Sequence, residues 1–112
     1  MSERRRHPRF EVELDATISS VEFMSNVSTE GHVIDLSRVG AKVVSPIYFK
    51  PGQLITIQID LIGGPMTIDA KVINCREDAN QKIRYEKTYA LHVQFDELNE
   101  KEWNHLLEAG KQ

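Results

Sequence analysis

The chain has 112 residues, 40% of them hydrophobic, with 14 Lys and Arg against 17 Asp and Glu and a formal net charge of −3. That composition suits one ordered domain around one core and excludes a disordered chain. A globally acidic protein is a poor candidate for wrapping nucleic acid, and no apolar run approaches the roughly 20 residues of a bilayer span.

The first nine residues depart from this average. Arg4, Arg5, Arg6 and Arg9 against Glu3 give them a balance of +3, while the remainder, with 10 basic and 16 acidic side chains, stands at −6. A short cationic segment on an acidic body suits a small anion or a partner's acidic patch. No apolar stretch follows the arginines, so the segment does not read as a secretory signal. The single Cys75 forms no internal disulfide, and a cytoplasmic location is expected.

Taken in order, residues 1–9 form an arm. Pro8 biases His7 to an extended backbone, so the arm does not continue as a helix. Val12, Leu14, Ala16 and Ile18 alternate with polar residues, the period of a half-buried strand. Ser19 to Gly31 is rich in Ser, Asn, Thr and Glu and is expected to be a loop with a short strand near Val21–Met24. His32–Asp35 and Ala41–Val44 are short strands flanking a turn at Leu36-Ser37-Arg38-Val39-Gly40. Pro51-Gly52 marks a further turn. Ile55, Ile57, Ile59 and Leu61 alternate in one strand, Gly63-Gly64-Pro65 connects a hairpin, and Met66, Ile68, Ala70 and Val72 alternate in the return. Glu77–Tyr85 is a polar loop. Tyr89, Leu91, Val93 and Phe95 form the inward face of the last strand.

The period then changes. Asn99 and Glu102 have capping-box spacing, and Leu98 with Trp103 matches a hydrophobic staple. Trp103, Leu106 and Leu107 make a stripe, with Gly110 as C-cap. Strands joined by short turns and closed by one helix predict a mainly β fold: an antiparallel barrel with an appended helix. The whole chain, 1–112, is one domain, with an arm over 1–9, a barrel over 10–96 and a helix over 99–109.

Two segments carry chemistry: Arg4-Arg5-Arg6-His7-Pro8-Arg9 and Asp35-Leu36-Ser37-Arg38-Val39-Gly40. Guanidinium groups grip phosphate in a bidentate fork and stack on flat bases. The Asp35 carboxylate accepts two bonds and matches the N1–H and N2–H edge of guanine, Ser37 adds a hydroxyl, and Gly40 permits a left-handed backbone or close ligand approach. Asp35-x-Ser37 is also the pattern of an Asx-type turn, and both roles are compatible.

Arg5 and Arg9 fit R-x-x-x-R, and Asp35, Ser37 and Gly40 fit [D/N]-x-S-x-x-G. In this the chain resembles the PilZ family over nearly its whole length. The resemblance implies a six-stranded barrel that binds cyclic di-GMP. It implies that Arg5 and Arg9 contact phosphate and guanine, and that Asp35, Ser37 and Gly40 line the guanine site. Arg4 and Arg6 flank the motif and are expected to add contacts. Arg4 is placed to stack on a second ligand molecule, so an intercalated ligand pair per chain is expected. In the last strand the family often carries glycine where this sequence has His92, which either crowds the barrel surface or supplies a ligand contact.

The expected mechanism is a clamp. Four crowded arginines repel one another until a dianionic ligand pins the arm across the barrel, and a downstream effector protein then reads the altered surface. Two other readings use the same residues: a small barrel binding nucleic acid through the arm, and an interaction module with a degenerate site. The former lacks exposed aromatics interleaved with basic residues. Neither a catalytic set nor a zinc-ligand spacing is visible, so an enzyme and a structural metal are not expected. Neither is membrane insertion.

Overall fold

The computed structural model describes residues 8–22, 25–78 and 87–110. Six strands, β1 (Phe10–Glu22), β2 (Ser25–Leu36), β3 (Gly40–Ser45), β4 (Leu54–Ile59), β5 (Met66–Glu77) and β6 (Tyr89–Gln94), precede one helix, α1 (Glu100–Gly110). The strands close in the order β1-β2-β3-β6-β5-β4, and every pairing is antiparallel. Among the described residues each strand is paired on both sides within the barrel wall, which is how closure removes sheet edges there.

Strand alternation fills the interior. Leu14, Ala16 and Ile18 of β1, Ile55, Ile57 and Ile59 of β4, Ile68, Ala70 and Val72 of β5, and Leu91 and Val93 of β6 are all buried. Cys75 packs against this core, and burial pushes its thiol up. The connections follow their local chemistry. Gln53 N–H donates to the Lys50 carbonyl at 3.0 Å across Pro51-Gly52, with Gly52 at φ 92°. Gly63 and Gly64, at φ 97° and 126°, carry the β4–β5 hairpin, a backbone only glycine adopts readily.

The loop expected over Ser19–Gly31 is instead two strand arms. Ser19 pairs with Ser28, Ser20 with Val27 and Glu22 with Ser25, so the β1–β2 hairpin outruns the β1–β4 pairing, which ends at Ser19 opposite Thr56. The serines of the arms find partners across the hairpin and beyond it: Ser19 lies 3.4 Å from Ser28, hydroxyl to hydroxyl. Buried Ser20 accepts from Gln53 Nε2 at 2.6 Å and donates to the Leu54 carbonyl at 3.3 Å. Of the segment near Val21–Met24, residues 23 and 24 lie outside the described residues, as do residues 79–85 of the expected polar loop Glu77–Tyr85, whose first residue, Glu77, instead ends β5 opposite Tyr89.

The helix start follows its sequence. Glu102 N–H donates to Asn99 Oδ1 at 2.8 Å and Asn99 N–H donates to Glu102 Oε1 at 3.0 Å, a reciprocal capping box. Leu98, Trp103 and Leu106 are buried and join the barrel core. Gly110, expected as a C-cap, is instead the last helical residue. A Cβ there would stand 2.7 Å from Val12 Cγ1, so its smallness lets the helix end approach β1.

Candidate functional site

Arg9 precedes β1, and Asp35 lies near the end of β2. Their side chains meet, with Arg9 Nε 3.4 Å from Asp35 Oδ1. That oxygen is buried and has no hydrogen-bond partner among the described residues. The contact is therefore an ion pair without a hydrogen bond, and the carboxylate keeps acceptor capacity for a donor.

A register shift explains why Asp35 faces outward. Val33 pairs with Val43 and Asp35 with Lys42, so Ile34 is an extra residue on β2. Strict alternation from buried Val33 would turn Asp35 into the core; the bulge reverses its face, and Leu36 then turns inward. A second bulge, between Val72 and Asn74 on β5, does the same for Asn74. Lys42 pairs with His92, and His92 with Asn74. Asp35, Lys42, His92 and Asn74 thus form one row across β2, β3, β6 and β5.

The electrostatics of the row converge on His92. Burial first, then Lys42, Arg9 and Arg76, hold its imidazole below the ordinary value, with Asp35 opposing. Among the described residues, three cations and one carboxylate therefore act on the same patch of wall. A concavity of about 540 Å3, bordered by Ser20, Leu54, Lys71 and Gln94 among others, includes none of Asp35, Lys42 and His92.

Ser37 and Gly40 are drawn inward to hold the turn. Ser37 is buried; its hydroxyl donates to the Gly40 carbonyl at 3.3 Å and accepts from Val39 N–H at 3.3 Å, while its own N–H donates to the same carbonyl at 2.9 Å. Gly40 does not have a positive φ, so of the two uses expected for it, a left-handed backbone or a close approach, the first does not apply. A Cβ on Gly40 would meet the Val93 carbonyl oxygen at 2.6 Å, so the glycine serves the close approach of β3 to β6. The turn is also tied to the helix. Leu98 N–H donates to the Arg38 carbonyl at 2.8 Å, Arg38 Nη2 lies 3.4 Å from Glu100 Oε1, and the Arg38 guanidinium sits 5.8 Å from the Trp103 ring centroid. Phe10, next to Arg9, also packs on Trp103, 5.7 Å between ring centroids.

Of the residues expected from the sequence, Arg9, Asp35, Ser37 and Gly40 come together at one end of the β1–β2–β3 wall. Arg4, Arg5 and Arg6 lie outside the described residues. Lys42, Asn74 and Arg38 join them without being marked by either motif. Lys42, between inward Ala41 and Val43, was open to reading as outward; its place beside Asp35 and His92 depends on cross-strand register.

A family model for the PilZ domain matches residues 3–109. The chain belongs to the PilZ family. Among solved structures, the PilZ domain with c-di-GMP of YcgR from Escherichia coli superposes at a TM-score of 0.71 with 18% identity, covering 97% of this chain and 92% of that one. The Bacillus subtilis inhibitor of motility MotI/DgrA superposes at 0.64 with 18% identity over 98% of this chain, and the K. pneumonia MrkH–c-di-GMP complex at 0.65 with 17% identity over 96%. The chain spans about half the length of those two proteins, 50% and 51%. No curated protein matches it. At these identities the likeness establishes the PilZ barrel.

Proposed function

We propose that this PilZ domain is a cyclic di-GMP receptor and not an enzyme, with Arg5 and Arg9 gripping phosphate and guanine and Asp35 reading a guanine edge. The observation that carries the reading is the Arg9–Asp35 pair, in which a buried carboxylate oxygen has an ion-pair neighbour but no hydrogen bond. One residue from each half of the family motif, Arg9 and Asp35, thus stands at one spot, and three of the similar solved structures, two of YcgR and one of MrkH, are c-di-GMP complexes.

The pair is a latch that the ligand opens. The pair is partly exposed, and an ion pair screened by solvent contributes about 0–1 kcal/mol, whereas a charge-assisted hydrogen bond contributes about 1.5–3 kcal/mol. Exchanging Arg9–Asp35 for Arg9–phosphate and Asp35–guanine is therefore favourable. Ser37 and Gly40 act by fixing the turn that presents Asp35. Arg4 and Arg6 add phosphate contacts, and Arg4 stacks on the second molecule of an intercalated ligand pair. The closed arm alters a surface read by a downstream effector protein in the cytoplasm, without nucleic acid or membrane insertion as part of the mechanism.

Calorimetry with cyclic di-GMP on wild type, Arg9→Ala and Asp35→Ala tests this. Unchanged affinity in both variants overturns the assignment. A stoichiometry of one ligand per chain overturns the intercalated pair alone.

A further inference from the structure

We propose that His92 contacts the bound ligand and takes up a proton as it binds, so that this receptor grips cyclic di-GMP more tightly as pH falls below neutral. The inference rests on the receptor reading above. Asp35 pairs with Lys42 and Lys42 with His92. With strands about 4.8 Å apart, His92 stands roughly 10 Å from Asp35 along the wall. Its neighbours Leu91 and Val93 point into the core, so its ring is on the outer face beside Lys42 and Asn74. A ligand read by Asp35 and spreading along the row reaches His92 next after Lys42.

The charges supply the direction. Lys42 on β3, Arg76 on β5 and Arg9 before β1 face the imidazole as cations, and Asp35 on β2 is the one opposing carboxylate among the groups acting on it. Without an anion, this setting disfavours the imidazolium. Two phosphodiesters, ionised throughout the accessible pH range, reverse the local sign. They favour the imidazolium, which then donates a charge-assisted hydrogen bond to a phosphate oxygen. Linkage is reciprocal: if ligand strengthens proton binding at His92, protons strengthen ligand binding equally. Each unit by which the ligand raises the His92 pKa tightens binding up to about tenfold once the pH lies below both values.

The test uses the full chain and cyclic di-GMP. Calorimetry at pH 7.5, 6.5 and 5.5, in buffers of differing ionisation enthalpy, counts the protons taken up by wild type and by His92→Gln. NMR titration of the His92 ring with and without saturating ligand gives its pKa directly. The expected result is proton uptake and several-fold tighter binding at lower pH in wild type, both reduced in His92→Gln, and a His92 pKa that rises with ligand. Uptake and pH dependence equal in wild type and variant would assign the proton to another group and overturn the proposal, as would a His92 pKa unmoved by ligand. Wild type that fails to bind at any pH overturns the receptor reading and this one with it.

Discussion

Arg9 Nε and Asp35 Oδ1 stand 3.4 Å apart, at ion-pair distance without a hydrogen bond. Both side chains are partly exposed, at 36% and 27%. Their mutual attraction is therefore screened and contributes little to folding. In the proposed complex the same groups would face a phosphate and a guanine edge and each would make charge-assisted bonds. Arg9→Ala is expected to weaken cyclic di-GMP binding about 10- to 150-fold, the equivalent of about 1.5–3 kcal/mol, and to move the urea midpoint little. Calorimetry and urea unfolding of one preparation check both halves. A large loss of stability alongside lost binding would make Arg9 a structural residue.

Trp103 is touched from both sides of the site: its ring lies 5.7 Å from Phe10, the neighbour of Arg9, and 5.8 Å from the guanidinium of Arg38 in the Asp35–Gly40 turn. It is also the only tryptophan in the chain. Ligand that draws in the arm and loads the turn moves both neighbours of the indole, so titration should change Trp103 fluorescence. Saturation should follow the calorimetric isotherm, and Arg38→Ala should reduce the amplitude. An emission unmoved by saturating ligand would mean that the helix does not sense the site. Trp103→Ala should cost about 3–5 kcal/mol of stability, since it empties a buried site at the helix–barrel seam.

The barrel was legible because the alternation of Ile55, Ile57 and Ile59 and of Ile68, Ala70 and Val72 is strict, and the buried positions follow it. The helix was legible because Asn99 and Glu102 make a local bond pair that depends on no distant residue. The Ser19–Gly31 arms were not, because Ser19, Ser20 and Ser28 take cross-strand and loop partners that spacing does not encode. The site was half legible. Arg9, Asp35, Ser37 and Gly40 are marked by type and spacing, but the face each presents is set by a bulge. Alternation from Val33 puts Asp35 inside, and the extra residue Ile34 turns it out. Lys42 and His92 join the row only through register, a long-range property that no local pattern carries.

Gly40 illustrates how a motif residue can serve the fold. The Cβ of an alanine there would meet the Val93 carbonyl oxygen at 2.6 Å, and a backbone atom in a closed barrel has little room to yield. Gly40→Ala should therefore destabilise the domain by about 1–3 kcal/mol, seen as a lower urea midpoint with unchanged slope. Ligand affinity should also fall, because the β3–β6 pairing next to the turn positions Lys42 and His92. A variant as stable as wild type would show that the two strands can part without cost.

The ligand-free protein should also carry a signature of His92 in its stability. Burial and the nearby cations make the native imidazole harder to protonate than that of the unfolded chain. As pH falls through the ordinary histidine value of about 6.5, the unfolded state binds the proton first. The contribution is thus fully present above that value and is lost as pH falls through the lower native pKa. Wild type should lose stability between pH 7.5 and 5.5 more steeply than His92→Gln, whose amide has no proton to bind. Urea midpoints at pH 7.5, 6.5 and 5.5 measure the difference. Because the ring is largely exposed, the gap should be small and should narrow further in high salt, where Lys42, Arg9 and Arg76 are screened. A gap that widened with salt would mean that the cations do not act on this imidazole, and the proton linkage proposed for the bound state would lose its physical basis.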